Sequence, residues 1–98
     1  MKLSFWRRDG SPFIVHVDPL SETTPHLFRV NKSKPAAVDH GAVFDLIFLD
    51  ARYEVVYAVP LARYGLHFSP KRYVYLLRLQ AGTISKEQLD LDAGVLII

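Results

Sequence analysis

Two carboxylates punctuate the most apolar stretch of the chain, Phe44-Asp45-Leu46-Ile47-Phe48-Leu49-Asp50. Paired acids do glycosidase-type chemistry only when they converge across a cleft, at roughly 5 to 10 Å. Five residues along a strand hold Asp45 and Asp50 about 16 Å apart and on opposite sides, so this pair forms no such centre. Asp45 shares its side of the strand with Val43, Ile47 and Leu49 and is therefore expected to be buried. A buried carboxylate needs partners, either an arginine such as Arg72 or Arg78 or a set of backbone amides. The functional alternative places Asp45 on the floor of a ligand pocket, with His40 as the other acid–base candidate. Asp50 closes the strand and fits a turn in which its side chain accepts a bond from the backbone two residues on.

The remaining chemistry-bearing residues are sparse. His16, His26, His40 and His67 have no metal-ligand spacing, there is no cysteine, and no glycine-rich phosphate loop or nucleophile elbow is present. No catalytic residue, metal or cofactor is assigned. All five tyrosines lie between Tyr53 and Tyr75, interleaved with Arg52, Arg63, Lys71 and Arg72 and followed by Arg78. Tyrosine with arginine suits a protein interface. Aromatic stacking combined with phosphate neutralisation is also how single-stranded nucleic acid is held. The leading expectation is a non-enzymatic binding or interaction domain that uses Arg52, Tyr53, Arg63, Tyr64 and His67 on exposed loops to hold a protein partner. The alternative is a single-stranded nucleic-acid binder using the same surface with Lys71 and Arg72. A small enzyme or ligand pocket around Asp45 is the third reading.

These side chains must be positioned by short strands. Leu3–Trp6 and Phe13–Val17 flank the turn Asp9-Gly10-Ser11-Pro12 and read as a hairpin. Residues 18–25 hold two prolines and read as a surface connection, followed by an edge strand at His26–Val30 and a polar turn over 31–35. Residues 36–41 read as an extended lead-in. In Val43–Asp50 the apolar residues occupy both sides of the alternation, which demands cover on both faces, as in a central strand or a small closed barrel. Glu54–Val59 pairs with it and is expected to stop at Pro60, and residues 61–70, with Pro60, Gly65 and Pro70, read as a loop. Arg72–Leu79 is the next strand, with Tyr73, Tyr75, Leu77 and Leu79 as its core face. Ser85 is expected to cap one short helix near 85–89. Val95–Ile98 closes the chain as an apolar strand expected to be buried inside the sheet, so that its removal would unfold the domain. The fold class is mostly β: a small antiparallel or mixed barrel-like sheet of about six or seven strands with one short helix.

Ninety-eight residues, half of them apolar and 22% charged, describe a single globular domain, 1–98, that folds alone or as a homo-oligomer. The net charge is +2 but unevenly spread: residues 51–80 carry five bases and one acid. The N-terminus has two arginines and an acid where a secretory peptide needs its apolar segment, and no run approaches the ~18 apolar residues of a membrane span. A cytoplasmic protein without a membrane partner is expected.

The order of phrases from residue 38 to 98 resembles a small bacterial and archaeal family known as domain of unknown function 192. The likeness rests on the Phe44–Asp50 phrase, the Val55-Val56 strand, the strand Tyr73–Leu79 running into Ala81-Gly82-Thr83, and the closing Gly94–Ile98. The family's Asp-Gly turn is represented by Asp50-Ala51-Arg52-Tyr53, and its Gly-Leu-Met phrase has no counterpart here. The resemblance implies a compact β-barrel-like fold with a little helix, and it implies no activity.

Overall fold

A computed structural model describes residues 1–18, 23–30 and 34–98. Half of the connection at 18–25 (residues 19–22) and most of the turn at 31–35 (residues 31–33) lie outside those residues. The strands are β1 (Lys2–Arg7), β2 (Pro12–His16), β3 (His26–Arg29), β4 (Ala36–Val38), β5 (Phe44–Leu49), β6 (Val55–Ala62), β7 (Gly65–His67) and β8 (Tyr75–Gln80). They are followed by a one-turn helix α1 (Thr83–Lys86) and two short strands, β9 (Leu89–Asp90) and β10 (Leu96–Ile97). The fold is mostly β, as expected, and of the two arrangements left open, antiparallel or mixed, it is antiparallel. Among the described residues the strands number ten rather than six or seven, and they form three sheets instead of one closed barrel.

The middle sheet, in the order β3-β8-β5-β6, is the centre of the molecule. One of its faces presents Ile47, Leu49, Leu77 and Leu79 to Leu3 and Phe5 of β1, Val15 of β2 and Val17 just beyond it, with Leu89 of β9 in the same cluster. Its other face presents Leu46, Phe48 and Leu76, and these are covered by Ala36 and Val38 of β4, by Ala62 and by Tyr73. That double cover is why β5 is apolar on both sides and why every residue from Asp45 to Leu49 is buried. A third sheet consists of β4 and β7 alone, an arm lying across the second face.

Four local expectations are corrected. Strand β6 does not stop at Pro60 but runs to Ala62. Proline is tolerated because β6 is an edge strand and the ladder bulges there: β5 advances from Phe44 to Leu46 while β6 goes from Ala62 to Val59, one residue more. The supposed loop 61–70 contains β7, which pairs Gly65, Leu66 and His67 with Val38, Ala37 and Ala36, so the lead-in at 36–41 is itself a strand. The strand over 72–79 starts at Tyr75. Its alternation breaks at Val74, so that Tyr73 joins Leu76 on one side while Leu77 and Leu79 face the other. The helix begins at Thr83 instead of Ser85, and Gln88, with a φ of 49°, already leads into β9.

The C-terminal strand is the fifth departure. β10 pairs with Leu3 and Ser4, and Ile98 donates its N–H to the Lys2 carbonyl, yet Leu96, Ile97 and Ile98 are 56, 48 and 61% exposed. It is an edge strand held by its backbone rather than a core strand held by its side chains.

Candidate protein-docking site

Asp45 explains much of the local geometry around β5. Its side chain has no exposed surface, and its carboxylate accepts three backbone N–H groups: Leu61 (2.9 Å) and Gly82 (3.0 Å) on Oδ1, and Ile84 (2.7 Å) on Oδ2. Leu61 is the left-handed residue of the β6 bulge, with a φ of 53°. Gly82, at φ 86°, is the residue preceding α1 and has no side chain with which to cap it. Asp45 supplies the missing acceptor to Ile84, the second residue of the helix, from a neighbouring strand. The partner is therefore the backbone, and the arginine pairing with Arg72 or Arg78 is not made. Asp45 lies on the face turned toward β1 and β2, whereas His40 packs against Tyr64 (5.3 Å between ring centroids) beside the arm on the other face. The two do not meet. Asp50 makes the expected turn, its Oδ1 accepting the Arg52 (2.8 Å) and Glu54 (3.0 Å) amides.

The structure divides the tyrosine- and arginine-rich segment. Arg52 and Tyr53 occupy the β5–β6 turn, and Tyr53, at φ 63°, stacks on Tyr75 at 4.3 Å. Hydrogen bonding to Tyr75, then burial, raises the Tyr53 hydroxyl pKa, with Arg29 opposing the rise. Arg63 and Tyr64 follow the far end of the eight-residue β6, about 25 Å from that turn at strand rise. The seven residues expected to bind therefore do not form one surface.

Arg63, Tyr64 and His67 do come together, at the arm. The His67 Nε2 bonds the Arg63 carbonyl at 2.7 Å, which fixes the two ends of this short segment. Alternation along β7 puts Gly65 and His67 toward the molecule and Tyr64, Leu66 and Phe68 toward solvent, where they are 70, 60 and 66% exposed. Ala37 of β4, exposed and directly opposite Leu66, continues this face. The segment beyond it carries exposed Lys71 and Arg72, shaped by Ser69, whose hydroxyl donates to the Lys71 carbonyl (2.7 Å) and accepts the Lys71 amide (3.3 Å). Among the described residues neither β4 nor β7 has a second strand neighbour, so the arm has two open edges. Sequence reasoning singled out Arg63, Tyr64, His67, Lys71 and Arg72 but missed Leu66 and Phe68, which form the apolar part of the face. The signal was the alternation Tyr64, Leu66, Phe68 through a segment read as loop.

Among the described residues no three histidine or acidic side chains converge as metal ligands, and no helix is long and apolar enough to cross a membrane. Comparison of the chain with protein-family models, curated proteins and solved structures gives no match.

Proposed function

We propose that this protein is a non-enzymatic interaction domain whose β4–β7 arm docks an extended segment of a partner protein carrying apolar and acidic side chains. The observation that carries this reading is the row Tyr64, Leu66, Phe68, three large apolar side chains 60 to 70% exposed on one face of a two-stranded sheet with open edges. An open edge offers backbone N–H and C=O groups to an added strand, and an apolar face beside it supplies affinity. The bases Arg63, Lys71 and Arg72 nearby favour a partner of negative charge and speed its encounter. The likeness of residues 38–98 to domain of unknown function 192 is kept as a proposal on the order of its phrases alone.

The nucleic-acid reading has less support. Stacking needs accessible rings, but Tyr73 is packed edge-on to Phe48 (4.7 Å) and Tyr53 and Tyr75 stack on each other, which leaves Tyr64, Phe68 and part of Tyr57. The enzyme reading has lost its acid, because the Asp45 carboxylate is enclosed and engaged by three amides.

Selection of displayed random peptides on the whole protein tests the proposal. Peptides alternating apolar and acidic residues should be enriched, and a selected peptide should bind at least about tenfold more weakly to Leu66→Asp or Arg63→Glu, both exposed positions that leave the core intact. Enrichment unrelated to acidity, or binding unchanged in Leu66→Asp, refutes the assignment. Binding of a single-stranded oligonucleotide with a steep salt slope would favour the alternative, and concentration-dependent dimerisation abolished by Leu66→Asp would make the partner a second copy of this chain.

A further inference from the structure

A separate feature lies on the same side of the middle sheet. A cleft of about 600 Å³ opens between β3, the start of β4 and β8, with Phe28, Val30, Lys34, Tyr73, Leu76 and Arg78 in its lining. Its size is that of a small-molecule site. Among the described residues none that lines it is acidic. Arg29 also lines it, but stands opposite Tyr75 in register and acts on the Tyr53 hydroxyl, so its charge belongs to the other face.

Arg78 is the unusual residue here. It sits in a strand whose neighbours Leu76, Leu77 and Leu79 are all buried, and its guanidinium lies over the rings of both Phe28 (4.5 Å) and Phe44 (4.9 Å). Stacking holds the plane of the group and leaves the in-plane N–H donors to be satisfied by something else. Among the described residues nothing satisfies them fully: the Arg78 Nε is buried and has no hydrogen-bond partner. The other buried side-chain nitrogen in that condition is Nδ1 of His26, which is the residue directly across from Arg78 on β3 and lies against the Phe28 ring, 3.9 Å between centroids and tilted by 32°. Arg78 Nε is thus an unpartnered donor on a residue that lines the cleft, while His26 Nδ1, a donor or an acceptor according to tautomer, lies across from it and outside the lining.

We propose that this cleft binds a small organic acid, whose carboxylate or phosphate is held by Arg78 and Lys34 and whose apolar body lies on Leu76, Val30 and the Tyr73 ring. An arginine fork matches either oxyanion, and its fixed orientation between two rings reduces the ordering lost on binding. The apolar part of the lining, Phe28 and Val30 with the exposed edges of Leu76 and Tyr73, suits an apolar body better than a bare inorganic anion. The arm reading rests on other side chains, since neither Tyr64, Leu66 nor Phe68 lines the cleft, although Ala37 of the arm borders both.

The test is a titration of the whole protein with phenyl phosphate, benzoate, inorganic phosphate and the uncharged benzyl alcohol, followed by the amide and arginine Nε–Hε resonances. Saturable shifts at Phe28, Leu76 and Arg78 are expected with phenyl phosphate or benzoate, and whichever binds more tightly identifies the head group. The better acid should bind about tenfold more tightly than benzyl alcohol and than inorganic phosphate, and about tenfold more weakly to Arg78→Lys, which keeps the charge and loses the fork. Lys34→Gln, at an exposed position, gives a second reading if Arg78→Lys fails to fold, with a loss of about threefold. The proposal is overturned if neither acid saturates by tens of millimolar, if benzyl alcohol binds as well as the acids, or if Lys34→Gln and a folded Arg78→Lys bind like the parent protein.

Discussion

Replacing Asp45 by asparagine keeps the shape of the side chain and removes one acceptor from a site where three donors converge. With its oxygen in the Oδ1 position, the amide still accepts from Leu61 and Gly82, but its NH2 group then faces the Ile84 N–H across a 2.7 Å gap. The flipped orientation loses two acceptor contacts instead of one, so the first prevails. One charge-assisted bond is lost, about 2 kcal/mol, and the two survivors weaken by about 0.5 to 1 kcal/mol each when the carboxylate charge goes, so the Asn variant is about 3 to 4 kcal/mol less stable. Alanine leaves all three N–H groups unsatisfied, about 5 kcal/mol in total. A domain of this size has a stability of only about 5 to 15 kcal/mol. Urea unfolding followed by the fluorescence of Trp6, the sole tryptophan, should show a folded but strongly shifted Asp45→Asn and an Asp45→Ala close to the limit of folding. If Asp45→Asn unfolds within about 1 kcal/mol of the parent with the same slope, the carboxylate is not the tie described here.

Deleting residues 96–98 should cost no more than about 2 kcal/mol and leave a cooperative melt, since the strand is exposed and held by its backbone; loss of the native spectrum would show that its side chains matter more than their exposure allows. Leu77→Ala, at a fully buried position in the middle sheet, should cost about 3 to 4 kcal/mol in the same urea assay. The hydroxyls of Tyr53 and Tyr73 have pKa values raised above the ordinary 10.0, Tyr53 first by its bond to Tyr75 and Tyr73 by burial. Their neutral forms are favoured in the fold, so this stabilisation is complete below pH 10 and is lost as the pH climbs through the raised values. Ultraviolet titration should show part of the tyrosine absorbance change arriving late, together with alkaline unfolding, and Tyr53→Phe should remove part of that late fraction.

The strands that could be read from the sequence were those whose cause is local. The Leu3–Val17 hairpin has its turn within it, where the Asp9 carboxylate accepts the Ser11 amide (2.9 Å) and hydroxyl (2.6 Å) and is held below its ordinary pKa by them. Phe44–Leu49 has too many apolar residues for one face, and that excess alone implied an interior strand. Asp45 was legible as buried and in need of partners, though nothing local distinguished three amides from one arginine. What escaped depends on residues distant in the chain. The pairing of Ala36 with His67 joins two three-residue strands that carry no signal separately, and β6 continues past Pro60 through an edge bulge whose Leu61 amide donates to Asp45 on the neighbouring strand. The exposure of Leu96–Ile98 follows from the edge position of β10, which composition does not encode. The Arg78 cleft escaped for the same reason: Phe28, Phe44 and Arg78 meet only once three strands lie side by side.

The arm packs on the rest of the molecule through small side chains, Ala36 and Val38, and among the described residues its strands pair as strands only with each other, with the Tyr73 hydroxyl donating to the Lys34 carbonyl beside β4. Lifting it breaks little, and would uncover Phe48 and Leu46 while removing the Ala36 wall of the cleft. Its amides should therefore exchange with solvent through a partial opening, well before those of β5 and β8, whose exchange requires the whole domain to come apart. An occupant of the arm and an occupant of the cleft would each draw on that same opening equilibrium. Each would slow exchange at the other's site without touching it, so the arm's exchange rate is a single reporter for both.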